Sequence, residues 1–165
     1  MFWIASLHSA RGDFFAHILN LERGYIMKAY RHGEMVLIPV PEKLEGEWQD
    51  LYEQAGQKMK DPRVIAEGEI TGHKHELAGG QVDATMLNEG SQMVQRTSSP
   101  GYVSRRSFLR ALGIGTVAGP VILLKVTKAA MLRHPEHNAL KIPTGRYVTY
   151  GQREYDETMA RRVVD

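Results

Sequence analysis

Residues 63–90, RVIAEGEITGHKHELAGGQVDATMLNEG, decide the fold class. Short β-rich runs alternate there with glycine punctuation. Arg63–Ala66 reads as a strand, Glu67-Gly68-Glu69 as a turn and Ile70–Leu77 as a second extended piece. Gly79-Gly80 is a turn signal ahead of a strand over Val82–Leu87, and Asn88-Glu89-Gly90 is another after it. Strands this short, separated by glycine turns, predict antiparallel pairing and not the helix–strand alternation of a doubly wound sheet.

The flanking sequence repeats the style. Residues 28–40, KAYRHGEMVLIPV, form a strand closed by Pro39 and Pro41. Residues 42–61 are polar with scattered apolar positions, Leu44, Trp48, Leu51 and Tyr52, and read as a short helix or a long loop, stopped before Pro62. Downstream, Ile122–Val126, Ala129–Leu132, Leu140–Ile142 and Arg146–Tyr150 have β character, with a turn at Pro143-Thr144-Gly145. Gln152–Tyr155 and Arg161–Val164 close the chain as short extended pieces. The expected fold is therefore mainly β, a small antiparallel β-barrel or β-sandwich. Residues 1–26 have helical apolar spacing at Phe14, Ile18 and Leu21 and no basic run ahead of Phe2-Trp3-Ile4, so a helical extension is expected there and no secretory signal. A single β-rich domain then spans 27–165.

The chain has 165 residues, 42% of them apolar and 24% charged, enough for one packed core. It has no cysteine, which excludes disulfides, thiolate metal sites, iron–sulfur clusters and cysteine nucleophiles. The net charge of +2 averages two unlike parts. Between Arg96 and Arg133 lie seven basic residues and no acidic one, so the rest of the chain carries −5, the total less those seven. Residues at about 96–120 are expected to be a basic, glycine- and alanine-rich insertion. Within it Ser104-Arg105-Arg106-Ser107-Phe108-Leu109-Arg110 resembles a twin-arginine export signal, followed by an uncharged run from Ala111 to Leu124. That run is too short to span a membrane, and no transmembrane span is expected. A cytoplasmic protein is expected, with export as the alternative if the segment acts as a signal. The segment 96–133 is also a candidate surface for nucleic acid phosphates, although Tyr102 and Phe108 are its only aromatic residues.

The chemistry sits in the histidines. His73 and His75 in TGHKHE are two apart, so on a strand both imidazoles share a face. His134 and His137 in RHPEH are three apart around Pro135. Two such pairs at one rim of a β-fold supply three or four nitrogen ligands for a divalent transition metal, zinc or iron. His32, between Arg31 and Gly33, is a fifth candidate, and Glu76 or Glu136 is expected to handle protons as the catalytic group. His8 and His17 lie on the N-terminal extension and are not assigned to the site. There is no HExxH, no nucleophile elbow, no phosphate-binding GxxxxGK and no dinucleotide fingerprint.

Tyr30-Arg31-His32-Gly33-Glu34, Thr71-Gly72-His73-Lys74-His75, His134-Pro135-Glu136-His137, Pro143-Thr144-Gly145-Arg146-Tyr147 and Gln152-Arg153-Glu154-Tyr155-Asp156 resemble the signature blocks of a short, uncharacterised bacterial protein family. The resemblance covers roughly 27–95 and 121–165 and implies an arrangement of motifs without an activity. The HxH followed by Pro143-Thr144-Gly145 also resembles the cupin pattern, but Tyr150, Gln152 and Arg153 stand where cupins place a third histidine. The expected function is divalent-metal binding, with hydrolase or oxygenase chemistry if the protein is an enzyme. The alternative is a non-catalytic binding module for a protein or nucleic acid partner, with Arg31, Arg153, Tyr155 and Arg162 as contacts and Glu34 and Glu154 in internal ion pairs. A homo-oligomer is compatible with either.

Overall fold

The computed structural model describes residues 3–8, 14–20, 25–67, 72–151, 153–155 and 160–162. Gly68 and Glu69 of the expected turn, and Ile70 and Thr71, lie outside them. In chain order the strands are β1 (Trp3–His8), β2 (Phe14–Asn20), β3 (Tyr25–His32), β4 (Met35–Pro39), β5 (Gln57–Lys58), β6 (Val64–Glu67), β7 (Lys74–Ala78) and β8 (Gln81–Leu87). They continue as β9 (Val94–Gln95), β10 (Tyr102–Val103), β11 (Val121–Lys128), β12 (Ala130–His134), β13 (His137–Ile142), β14 (Gly145–Gly151), β15 (Arg153–Tyr155) and β16 (Ala160–Arg162). Two helices, α1 (Glu45–Gln54) and α2 (Arg105–Ala111), complete the fold.

The protein is mainly β and its strand pairs are antiparallel. An eight-stranded sheet runs β1-β2-β3-β4-β14-β11-β8-β5, and a four-stranded sheet runs β13-β12-β7-β6. Two short ribbons, β9–β10 and β15–β16, stand apart. Both large ladders are open, and the two sheets pack face to face in the manner of a sandwich. The helix expected in residues 1–26 is replaced by β1 and β2, which pair with each other and, through β2, with β3. Phe14, Ile18 and Leu21 satisfy a helical period, but Phe14–Asn20 also contains aromatic and β-branched residues that an extended neighbour accepts. Long-range ladder bonds to β3 override the local preference. The short helix toward the N-terminal side of the fold is α1 instead.

The registers show how the two sheets are joined. Leu87 pairs with Val121 and the β8–β11 ladder runs to Gln81 opposite Lys128, with a bulge before that last pair. The β7–β12 ladder then resumes with Ala78 opposite Met131, Leu77 opposite Leu132 and Glu76 opposite Arg133. Two residues separate the ladders on each strand, so 74–87 and 121–134 form one long ribbon that bends from one sheet into the other. β13 and β14 follow the same course on the far side of β11 and β12. Strands that switch sheets through bulges are the usual way a sandwich turns a corner. Gly79-Gly80 is therefore a bend within a continuous ribbon and not a hairpin turn.

Two apolar clusters lie on opposite faces of the large sheet. Met35, Leu37, Ile122, Leu124 and Tyr147 face the small sheet and meet its Leu77, Leu132, Leu140 and Ile142. The alternate residues Val36, Ile38, Val121, Leu123 and Val148 face outward and are covered by Trp48, Leu51 and Tyr52 of α1 and by Phe108 and Leu109 of α2. This is why Met35–Ile38 and Val121–Leu124 read as unbroken apolar runs: each strand is buried on both faces. Residues 96–120 thus supply part of the outer core. Ser104 caps α2 by accepting from the Ser107 backbone N–H.

Gly80 holds the bend. Its φ is +62°, and a Cβ there would stand 2.5 Å from the carbonyl oxygens of both Lys128 and Ala129. Gly79 has φ +65° but open space around it. Gly79→Ala is expected to cost about 1–2 kcal/mol from the left-handed backbone alone. Gly80→Ala adds a backbone clash and is expected to lose at least about 1 kcal/mol more. Urea unfolding of the two variants in parallel reads the difference, and equal losses would disprove the bend constraint.

Candidate metal centre

The ribbon bend places the site. Along β7, Leu77 and His75 share the inward face, and along β12 Ala130, Leu132 and His134 do the same. The histidines therefore continue the inner face beyond the apolar cluster. His134 pairs with His137 across the β12–β13 turn. The β3–β4 turn, held by Gly33 at φ +59°, brings His32 and Glu34 over the same face.

Five imidazoles from four segments meet there. Ring centroids of His75 and His134 are 4.3 Å apart and stacked, and those of His134 and His137 are 4.7 Å apart. His32 stands edge-on, 5.3 Å from both His75 and His137. His73 is 5.5 Å from His134. His75 is fully buried, and His32, His134 and Glu34 are nearly so.

The polar contacts define which nitrogen does what. His32 Nδ1 lies 3.1 Å from His75 Nδ1. His32 Nε2 lies 2.9 Å from the carbonyl oxygen of Asn138, and His75 Nε2 lies 3.1 Å from Oε1 of Glu34. The backbone N–H of Glu136 donates to Nδ1 of His134 at 3.2 Å. His73 Nδ1 is 3.5 Å from Oε1 of Glu136. Among the described residues, no group of three or more His, Asp or Glu side chains is preset to hold a metal ion.

Each residue expected from the sequence can be located. His73, His75, His134 and His137 are together, with His32 among them. Glu136 is beside His73 on the exposed rim. Glu76 alternates to the exposed face of β7, opposite Arg133 and away from the imidazoles. The residues that sequence reasoning left out of the site are Glu34, expected only in an internal ion pair, and Asn138, which acts through its backbone carbonyl. The signal for Glu34 was its spacing of two from His32 across Gly33.

A family model for a domain of unknown function, DUF8820, matches residues 31–152. The chain belongs to the DUF8820 family. The matched span contains all five clustered histidines, Glu34 and Asn138, and it leaves β1 and β2 outside. No curated protein and no solved structure matches the chain. Among the described residues of this DUF8820 chain, no helix is long and apolar enough to cross a membrane.

Arg105, the first of the paired arginines, is buried and does not face solvent. Its Nη2 donates to the carbonyls of Val117 at 2.9 Å and Gly119 at 2.6 Å. Burial lowers its pKa from the ordinary guanidinium value, partly offset by Glu89. Arg96 pairs with Glu47. These two of the seven cations in the basic segment are thus turned to internal partners.

Two tyrosines of the DUF8820 domain carry a pH signature. Burial pushes the phenols of Tyr147 and Tyr150 up to about 12, with Tyr30 adding to the effect at Tyr147. Tyr147 also donates to the carbonyl of Pro143 at 2.9 Å. Because the folded pKa values exceed the unfolded value of about 10, their contribution to stability is complete below pH 10 and is lost as the pH rises toward 12. Absorbance at 295 nm should show both phenols still protonated at pH 11 in the folded protein, with Tyr147→Phe and Tyr150→Phe leaving that pH 11 signal unchanged.

Proposed function

We propose that this is a metal-binding protein whose imidazole group holds one divalent transition-metal ion, zinc or iron(II), with Glu34 orienting a ligand ring. The approach of His32 Nδ1 to His75 Nδ1 carries this reading. The Asn138 carbonyl can only accept, so His32 presents Nε2–H to it and, when neutral, keeps its lone pair on Nδ1. An ionised Glu34 with Oε1 3.1 Å from His75 Nε2 favours the neutral tautomer protonated on that nitrogen, which leaves the lone pair on Nδ1. Two lone pairs then face each other at 3.1 Å, and a cation relieves the repulsion.

A metal ion fits the pattern around the two rings. Ligating histidines use one nitrogen for the metal and give the other N–H to a carboxylate or a carbonyl, the two acceptors found here. Metal–nitrogen bonds of about 2.0–2.1 Å hold two ligand nitrogens roughly 3.3 Å apart at a tetrahedral ion and roughly 2.9 Å apart at an octahedral one. The observed separation falls between them. The further donors in this reading are His134 and His137, and His73 at the rim. The competing occupant is a shared proton, which would make one ring an imidazolium bonded to the other.

A bound ion would supply Lewis-acid or dioxygen chemistry, consistent with a hydrolase or an oxygenase. Of the two carboxylates expected to move protons, Glu136 at 3.5 Å from His73 is the nearer. Elemental analysis of tag-free protein reconstituted with Zn²⁺ or Fe²⁺ should give one equivalent of metal. His75→Ala and His134→Ala should lose it, and Glu34→Gln should weaken binding about 10–100-fold while the protein stays folded. Metal-free protein after both reconstitutions, with a strongly downfield imidazole proton in its NMR spectrum, would assign the cation as a proton.

A further inference from the structure

The clustered imidazoles are not equivalent. His32, His75, His134 and His137 form an inner group, in which every pair of ring centroids lies within 6.4 Å. His75 is fully buried and His32 and His134 nearly so, and the apolar rows that include Leu77 and Leu132 lie behind them along β7 and β12. An ion held among these rings is closed off on that side. A buried centre needs a route in, along which protein donors replace the ion's water ligands.

His73 and Glu136 stand at the open end. Their side chains are 34% and 47% exposed. His73 precedes β7 and follows Gly72, which has φ +67° and nothing within 4 Å of the place a Cβ would take. Glu136 sits in the β12–β13 turn, between His134 and His137 in the chain. The ring of His73 is 5.5 Å from that of His134, so the exposed pair joins the inner group there.

The spacing of the pair is the second observation. His73 Nδ1 and Glu136 Oε1 are 3.5 Å apart. Hydrogen bonds from nitrogen to oxygen run at about 2.7–3.2 Å, so the contact is long for one. Two donors on a tetrahedral zinc ion, with bonds of about 2.0–2.2 Å, stand roughly 3.4 Å apart. The pair thus has the bite of a two-donor metal site. An ion held by two protein donors and otherwise by water is held weakly enough to move on.

We propose that His73 and Glu136 form an outer, exchange-labile zinc site that loads and unloads the inner imidazole centre. This rests on the metal reading of the inner group and gives the rim a separate role: His73 meets the ion in transit and is not one of its resident ligands. An ion caught at the rim is presented to the inner rings at a millimolar effective concentration, about a thousandfold above micromolar zinc in solution. Capture therefore speeds entry and, by microscopic reversibility, departure. It leaves the affinity of the inner centre unaltered.

The full chain, tag-free and stripped of metal, is mixed rapidly with micromolar Zn²⁺, and uptake is followed by competition with a zinc-sensitive dye. Removal by EDTA is timed on the loaded protein, and an equilibrium titration against the dye gives the affinity. His73→Ala and Glu136→Gln should each slow uptake and removal about tenfold while keeping one tight equivalent of zinc at unaltered affinity. Glu76→Gln removes the same charge from the exposed face of β7 and should change neither rate. Loss of the tight equivalent in His73→Ala would make His73 a resident ligand and overturn the proposal, as would unaltered rates in the two rim variants. Equal slowing by Glu76→Gln would trace the effect to long-range attraction and overturn it too. If the unaltered chain takes up no zinc, the metal reading itself fails and the outer site falls with it; the other negative results leave the inner centre standing.

Discussion

The close approach of Gly80 to the carbonyl oxygens of Lys128 and Ala129 is the constraint on which the architecture turns. At that point a paired ribbon leaves the large sheet and enters the small one without losing its register. A side chain at residue 80 would push the two backbones apart where they must touch. Everything inward of the bend follows from it. The small sheet lies over the large one, Leu77 and Leu132 reach Leu37 and Leu124, and the polar ends of β7 and β12 come beneath the β3–β4 turn.

Much of this was legible in the residues. Pro39 ends β4, the polar stretch before Pro62 holds α1, and Gln81–Leu87 and Gly145–Gly151 fall close to where alternation and glycine put them. The sequence could not distinguish a turn from a bend at Gly79-Gly80, because left-handed glycines serve both. Only the pairing of Ala78 with Met131 decides between them. It also could not show that Phe14–Asn20 extends a sheet, since the strand partner is as informative there as the segment itself. The site divides in the same way. Spacing alone put His73 and His75 on one strand face and marked His134 with His137. The inward turn of Glu34 and the service of the Asn138 carbonyl depend on how separate strands meet, and no local pattern encodes that.

The electrostatics of the inner face are unusual for a β-sandwich. Apolar side chains fill it as far as Leu77 and Leu132, and then imidazoles continue the same rows with an almost buried carboxylate beside them. Polar groups at such depth persist when their hydrogen bonds are met, and each partner constrains the next. Glu34 Oε1 lies 3.1 Å from His75 Nε2, the Asn138 carbonyl contacts His32 Nε2, and the Glu136 amide fixes Nδ1 of His134 as an acceptor. The rings are consequently held in particular orientations and do not simply fill space. Elsewhere Arg105 fixes the loop at Val117 and Gly119, so a residue in a signal-like motif acts here as an interior tether.

The position of β4 has a consequence for how the protein is made. This strand forms early in the chain, yet its neighbour in the sheet is β14, with Ile38 opposite Val148. During synthesis β4 therefore waits, one edge bonded to β3 and the other open, until β14, about 110 residues further along the chain, has emerged from the ribosome. Both faces of β4 are apolar, and until α1 and the small sheet close over them the nascent chain exposes a sticky, half-paired strand. A chaperone that shields Met35–Ile38 would guard the interval between the β3–β4 hairpin and the arrival of β14.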